Sequence, residues 1–372
     1  MKFAIITHVP HIVAQNQYFA YAPYVREMNV WAKQVAELII VAPVSLFKKS
    51  EIDVSYTHSN IKFVPIDAFD VLTFKGIART ILKTPKISWQ IYKAMRSADH
   101  IHLRCPGNMG LLGCFVQMLF PSKPKTAKYA GNWDPKAKQP WSYRLQKWIL
   151  SNTFLTRNMQ VLVYGVWPNQ SKNSKPFFTA TYKNQDGLPL LPKELKGTIA
   201  FVFVGTLSSG KRPMYAIALV EALSKRGYSV QLELYGEGKE RIVLEDYIEK
   251  NHLKSFIELK GNQSKEIIKS AYQNSHFVLL PSKSEGWPKA IAEGMFWGCI
   301  PLATSISCVP FMLDYGNRGV QLTTELEQDV QQVMAILNNE VNYFEKRKIA
   351  SDWSRYYTLD VFEQEIKKLI IQ

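Results

Sequence analysis

Residues 276–305 read HFVLLPSKSEGWPKAIAEGMFWGCIPLATS. The run Phe277–Pro281 is continuously apolar, as a strand buried on both faces of a sheet must be. Ser282–Trp287 has the polarity and glycine of a loop. Pro288 suits the first turn of a helix, where a missing N–H costs nothing. A helix over Pro288–Trp297 ends at Gly298, and a second apolar run, Ile300–Ala303, follows. Strand, loop, helix and strand in one short stretch specify parallel strands and an α/β fold.

The same rhythm extends both ways. Upstream, strands are expected at Ile199–Val204, Gln231–Tyr235 and Phe256–Leu259, and helices at Pro213–Arg226, Arg241–Lys250 and Glu266–Gln273. Downstream come helices over Leu326–Leu337 and Leu359–Ile370. The first half alternates too. Its strands are expected at Lys2–Thr7, Leu38–Ala42, Ile61–Ile66, His100–Arg104, Thr126–Ala130 and Gln160–Tyr164. Its helices are expected at Tyr18–Ala36, Val71–Ser97, Met109–Phe120 and Tyr143–Thr153. Residues 165–197 break the pattern with Pro168, Pro176, Pro189 and Pro192 among polar residues, and read as an interdomain connection. The expected organisation is a domain over 1–180, a linker over 181–197, a second domain over 198–355 and a terminal helical segment over 356–372. Open parallel sheets bind ligands beyond the carboxyl ends of their strands, so the strand-to-helix loops should hold the site.

The chain has 372 residues and a formal charge of +15. Residues 1–200 hold 26 Lys+Arg and 10 Asp+Glu, whereas residues 201–372 hold 20 and 21. A basic half attracts phosphate-rich partners, such as nucleic acid, an anionic membrane or a pyrophosphate-linked substrate. No RNA-binding aromatic motif, zinc finger or Arg-rich arm supports nucleic acid. Cys105, Cys114, Cys299 and Cys308 form no C-x2-C pair, which points to reduced thiols of a cytoplasmic protein and to no zinc site. No apolar run reaches the ~18 residues of a membrane-spanning helix. The opening MKFAIITHVP reads as a first strand, not a signal peptide.

Two loops carry chemistry. In FVFVGTLSSGKRP, residues 201–213, a buried strand enters a small-residue loop and then meets Lys211 and Arg212 before a helix. Gly205 and Gly210 allow close backbone approach, and loop amides plus the Lys211 charge suit a diphosphate. A Walker loop is excluded, because Arg212 stands where Ser or Thr is required. The plain alternative is a βα turn with a surface lysine. In the opening stretch, Glu285 and Glu293 flank one helix N-terminus. Two carboxylates there can accept hydroxyl hydrogens from a polyhydroxy ligand while the amides around residues 287–290 face a phosphate. The alternative has Glu285 favouring the helix dipole and Glu293 solvated. Against it, Ala292, Gly294 and Met295 surround Glu293 with apolar helix, where an idle carboxylate is costly.

SEGWP followed by KAIAEG, with its Glu285-x7-Glu293 spacing, resembles the E-x7-E motif of GT4-like retaining glycosyltransferases of the GT-B fold (glycosyltransferase group 1). The loop GTLSSGK is similar in type and position to that family's G-R-L-x-x-x-K loop, and Tyr235-Gly236-Glu237-Gly238 to its G-x-G turn. The resemblance is strong over residues 198–320 and mostly architectural over 1–197. It implies two Rossmann-like domains with parallel sheets facing across a cleft, and a C-terminal helix returning to the N-terminal domain. It implies a hexosyl- or related transferase acting on a nucleotide sugar and a glycan or lipid-linked acceptor in surface polysaccharide synthesis. A sugar-nucleotide 2-epimerase, or a basic non-catalytic binding protein, is the alternative. Carried over by position, Lys211 binds the donor diphosphate and stabilises the leaving group. Glu293 holds the ribose. Glu285 with the backbone of Gly286, Trp287 and Pro288 holds the sugar hydroxyls, and Lys289 opens the helix aimed at the phosphates. No cofactor and no divalent metal are implied.

Three departures stand out. Thr206 replaces the family's usual Arg, with Arg212 nearby. The stretch THVPHIVAQNQY replaces a Gly-Gly loop. The region of a frequent histidine reads KYAGNWDP, so that Asn132, Trp133 and Asp134 become candidate N-domain site residues, or a structural turn. His8, His11, His102 and Arg104 also fall at strand ends, where a structural role is the simpler reading.

Residues 71–96 interleave Lys75, Arg79, Lys83, Lys86, Lys93 and Arg96 with Leu72, Phe74, Ile77, Ile81, Leu82, Ile87, Trp89, Ile91 and Tyr92. Residues 101–150 carry 8 Lys+Arg and one acid, Asp134. Together these predict peripheral contact with the inner face of an anionic membrane, with ordinary solvated helices as the alternative.

Overall fold

The structure is a computed structural model describing residues 1–15, 17–45, 48–50, 53–67 and 74–370, with residues 74–81 as backbone. Leu72, and the side chains from Phe74 to Ile81 in the basic segment, therefore lie outside the described residues. The chain divides into two units, Met1–Phe178 with Phe362–Gln372, and Thr179–Val361. By sequence the first unit carries 25 Lys+Arg against 10 Asp+Glu, and the second 21 against 21, so the whole excess belongs to the first.

The first unit contains strands β1 (Lys2–Ile6), β2 (Ile12–Ala14), β3 (Gln17–Tyr21), β4 (Glu37–Pro43), β5 (Asp53–Ser55), β6 (Ile61–Ile66), β7 (His100–Cys105), β8 (Lys125–Tyr129), β9 (Met159–Tyr164) and β10 (Ser174–Phe177). Its helices are α1 (Ala22–Ala32), α2 (Phe74–Ser97), α3 (Asn108–Val116) and α4 (Trp141–Ser151). Seven strands form a parallel sheet in the order β10-β9-β8-β7-β1-β4-β6. Helices α2, α3 and α4 cover one face, packing Ile91, Met95, Cys114 and Ile149 onto Ile6, Leu103, Ala127 and Val161. On the other face Trp31 of α1 stacks on Phe3 at 5.6 Å and packs at a tilt against His102 at 4.6 Å.

Two sequence expectations need correction here. The helix expected over Tyr18–Ala36 begins only at Ala22, because Tyr18–Tyr21 instead joins a small antiparallel sheet, β2-β3-β5. Pro23, in the first turn, sets the later start. Within the expected connection, residues 174–177 form β10. Pro176 is tolerated there because β10 is an edge strand.

The second unit contains β11 (Ile199–Val204), β12 (Val230–Tyr235), β13 (Ile257–Gly261), β14 (Phe277–Leu280), β15 (Ile300–Thr304) and β16 (Val320–Leu322). They form a parallel sheet in the order β13-β12-β11-β14-β15-β16. The helices are α5 (Pro213–Lys225), α6 (Arg241–Lys250), α7 (Lys265–Asn274), α8 (Lys289–Phe296), α9 (Val309–Met312), α10 (Leu326–Leu337) and α11 (Glu340–Ser354), with α12 (Leu359–Ile370) at the end of the chain.

The expected linker, residues 181–197, folds into the second unit. Buried Lys193 donates to the carbonyls of Tyr272 at 3.0 Å and Ser275 at 2.5 Å, and also to that of Trp297. One ammonium thus satisfies carbonyls at the ends of α7 and α8 that helix geometry leaves without partners. From Phe362 onward α12 belongs to the first unit, with Phe362 5.4 Å from Phe177 and Glu365 2.8 Å from Lys175.

Candidate functional site

The second sheet reverses its direction of growth at β11, which has β12 on one side and β14 on the other. Loops leaving the carboxyl ends of two strands on either side of such a reversal splay apart and leave a crevice. Lys211 comes from the loop after β11, and Glu285 from the loop after β14. The two side chains form an ion pair. Glu285 is 9% exposed and Lys211 29%, so the pair stands at the edge of solvent. The loops are also tied through backbone, with Lys283 N–H donating to the Gly210 carbonyl at 2.7 Å. Arg212 has φ 52 and turns the chain directly into Pro213 and α5. Thr206 is exposed and Arg212 half-buried.

The turn after β12 explains two glycines. A Cβ on Gly236 would stand 2.0 Å from the Gly205 carbonyl oxygen, and one on Gly238 2.2 Å from that of Leu207. The backbones are this close because they are bonded in register. Gly205 N–H donates to Tyr235 O at 2.9 Å, Leu207 N–H to Glu237 O at 3.0 Å, and Glu240 N–H to Leu207 O at 3.1 Å. Gly236 N–H reaches Gly261 O at 2.8 Å, at the end of β13. Ser208, Lys211 and Arg212 amides close turns within the loop itself. Most amides of residues 205–212 are thereby committed internally. The anion capacity expected of this loop rests on its charged side chains more than on a cradle of amides.

Helix α8 follows Pro288 and packs against β14 with no space for a side chain at Gly294, where a Cβ would meet Val278 at 2.6 Å. The Gly286 carbonyl accepts from Ser307 Oγ at 3.3 Å and Cys308 Sγ at 3.0 Å, fixing the loop before the helix. Trp287 is buried, 5.4 Å from the Tyr357 ring, and anchors that loop in the core. Glu293 accepts from Thr181 Oγ1 at 2.6 Å and from the Tyr272 hydroxyl at 3.3 Å. Burial raises its pKa above the ordinary carboxylate value. The Thr181 and Tyr272 hydrogen bonds and the charges of Lys289 and Lys265 oppose that rise. Glu293 is therefore not a solvated surface carboxylate. Thr181, Tyr272 and Lys265 were not singled out from the sequence. The apolar setting of Glu293 was the one signal that it needed partners.

In the first unit, Asn132, Trp133 and Asp134 form a tightly bonded turn. Asn132 Oδ1 accepts from Asp134 N–H at 2.9 Å, and Asp134 Oδ1 from Lys136 N–H at 2.8 Å. Trp133 is in the core, 4.8 Å from the Tyr129 ring. Lys147 Nζ donates to the carbonyls of Trp133 and Asp134 at 2.9 and 3.0 Å. His11 is buried, with Nδ1–H donating to Val9 O at 2.8 Å and Nε2 accepting from Tyr56 at 2.9 Å, and burial lowers its pKa to about 4. His102 is buried, with Nδ1 2.8 Å from Thr126 Oγ1. Arg104 and Lys128 both reach Oε1 of buried Glu27, at 2.6 and 3.0 Å. Sequence reading missed this cluster. Its signal was a carboxylate on the face of α1 that also carries Tyr24, Met28 and Trp31.

Residues 192–355 match the family described as glycosyl transferases group 1. That match falls within the second unit, whose likeness is to the group 1 glycosyltransferases. Over 181 residues the chain is 25% identical to the UDP-N-acetylglucosamine–peptide N-acetylglucosaminyltransferase GtfA subunit of Streptococcus parasanguinis, covering 46% of this chain and 34% of that protein. The aligned stretch thus spans about a third of that relative's length. Among solved structures, Anabaena HepE in complex with UDP and glucose superposes with a TM-score of 0.68 at 12% identity, covering 100% of this chain and 99% of that one. The lipopolysaccharide outer core galactosyltransferase WaaB, in its apo form, gives 0.68 at 15% identity, with 100% and 99% covered. The likeness to these structures is one of fold, a GT-B fold of two Rossmann-like units.

Proposed function

We propose that the chain is a retaining GT4-type glycosyltransferase that moves a sugar from a nucleoside diphosphate donor to a glycan or lipid-linked glycan acceptor. The observation that carries this reading is the Lys211–Glu285 ion pair at the strand reversal of the second unit, with Glu293 on the helix that follows. A donor diphosphate would compete with Glu285 for the Lys211 ammonium and receive its charge. The freed Glu285 carboxylate would then accept hydrogen bonds from sugar hydroxyls. Glu293, already an acceptor for two hydroxyls, would take the ribose in exchange for one of them. Gly286, Trp287 and Pro288 would supply backbone along the sugar, and Lys289 would add charge beside the phosphates.

The reaction breaks the bond between the anomeric carbon and the phosphate oxygen, and the electron pair stays on the departing diphosphate. The acceptor hydroxyl attacks from the same face, forms the new C–O bond and passes its proton to the departing oxygen. Lys211 and the positive end of α8 stabilise that developing charge, which is the role a divalent metal fills elsewhere. HepE, solved with UDP and glucose, supports a nucleotide-sugar donor, and WaaB, a lipopolysaccharide outer core galactosyltransferase, supports a surface-polysaccharide setting. The acceptor would be taken by the basic first unit at the inner face of the membrane.

Calorimetric titration against a panel of nucleotide sugars, followed by NMR of the product anomer, tests the reading. At least one donor should bind and yield product of unchanged anomeric configuration. Absence of binding by every donor overturns the class, and inversion overturns the mechanism.

A further inference from the structure

The helical layer α2-α3-α4 of the first unit has an unusual outer face. The three helices lie side by side over one face of the sheet, their inner sides filling its core. On α2, Leu82, Lys86, Trp89, Lys93 and Arg96 are exposed and recur at spacings of three and four, which places them on one outward stripe. Phe115 and Leu119 continue the pattern on α3 and the turn after it, and Trp141, Arg144 and Trp148 on α4. Trp89, Trp141 and Trp148 are 55%, 67% and 59% exposed. Phe154 follows α4, with the Arg157 guanidinium 4.6 Å above its ring. Lys93 sits 5.3 Å from the Trp89 ring. The sequences of α2, α3 and α4 contain no Asp or Glu.

Soluble surfaces seldom gather this much apolar area without covering it. Core packing does not require it, since the inner sides of the same helices already supply the core. We propose that this face is the surface through which the protein lies on an anionic lipid bilayer, with Trp89, Trp141, Trp148, Phe115 and Leu119 entering the headgroup boundary. Amphipathic aromatic rings partition to that boundary, and Lys and Arg among them meet the lipid phosphates. A nucleic acid surface would use the cations but not the exposed leucines and phenylalanines. An acidic protein partner would not require that every ionised group on three helices be positive.

The face is distinct from the Lys211–Glu285 site, and its test needs no donor. The full chain is floated with vesicles of phosphatidylcholine alone or of equal parts phosphatidylcholine and phosphatidylglycerol. Binding to the anionic vesicles should exceed that to neutral ones at least tenfold. A cation near an anionic surface contributes about fivefold in affinity. The triple variant Lys86→Gln/Lys93→Gln/Arg144→Gln should therefore lose roughly a hundredfold. Trp89→Ser/Trp148→Ser should lose at least tenfold, whereas Ile242→Ser/Lys254→Gln on the second unit should bind as the parent does. These positions are exposed, so thermal melts should remain unchanged. Equal binding to both vesicles, or undiminished binding by the tryptophan variant, overturns the proposal. So does self-association in sedimentation that the tryptophan variant abolishes, which would make the face a protein interface.

Discussion

Lys211 and Glu285, 74 positions apart in sequence, pair at the one point where the second sheet changes its direction of growth. The two loops are joined through Lys283 N–H and the Gly210 carbonyl, and the Gly286 carbonyl is held by Ser307 and Cys308, so the meeting is set by the fold and not by side-chain chance. If Lys211 stabilises a departing diphosphate, Lys211→Ala should lower kcat roughly 10²–10³-fold, the effect of removing one preorganised charge stabiliser. An exposed-edge pair contributes about 1 kcal/mol or less to folding, so the melting temperature should barely move. Steady-state transfer rates beside thermal melts check both halves, and full activity in the variant would remove Lys211 from the mechanism.

Glu293 should leave a pH signature in stability. Its folded pKa is raised by burial, so between the ordinary carboxylate value and the raised one the folded state holds more protons than the unfolded. Its ionisation therefore costs stability as pH rises through that window. Glu293→Gln removes the cost. The stability of the variant relative to the parent should shift in the variant's favour as pH climbs from the ordinary carboxylate value through the raised one. Urea unfolding at each pH measures the difference, and a pH-independent gap would contradict the assignment.

Gly236→Ala should be among the most damaging small changes in the chain. The added methyl would enter the Gly205 carbonyl, and the φ of 140 disfavours any side chain. A loss of about 3 kcal/mol is expected, at the upper end for overpacking, with donor binding weakened in parallel. Gly227→Ala is a useful comparison, because it shares the positive φ but meets nothing within 4 Å. Its melting temperature should fall less.

The cluster of Glu27, Arg104 and Lys128 gives a fourth test. Lys128 is fully buried and Arg104 nearly so, with Glu27 between them. Glu27→Gln leaves two interior cations without that counter-charge, and breaking a buried pair costs about 3–5 kcal/mol. The double change Glu27→Gln/Lys128→Met should recover part of the loss, measured by denaturant unfolding of the full chain.

Much of the second unit was legible in sequence. Ile199–Val204, Arg241–Lys250 and Leu326–Leu337 occupy the expected spans, because buried parallel strands are continuous apolar runs and helix ends carry Pro, Gly and polar signals. The β2-β3-β5 sheet was not legible. Its strands are only three to five residues long, and Asp53–Ser55, which pairs with Phe19–Tyr21, is distant in the chain. Helix α11 was hidden for another reason. Its inward side includes Arg347, Ser351 and Ser354, which bond to carbonyls instead of filling core, so apolar periodicity is weak. At the candidate site, Lys211, Glu285 and Glu293 were found by residue type and spacing. The partners of Glu293 were not, because Thr181 and Tyr272 come from segments whose approach only the tertiary fold decides.

The internal commitment of the amides in residues 205–212 has a consequence for ionic strength. A loop that offers free N–H groups holds phosphate by short directional bonds, which added salt weakens little. A loop in which most amides are already spent holds phosphate more by Coulomb attraction to Lys211, at the edge of solvent where mobile ions screen it within about 8–10 Å. If the proposed nucleotide-sugar donor binds here, its affinity should therefore fall steeply with salt and be highest where mobile ions are scarce.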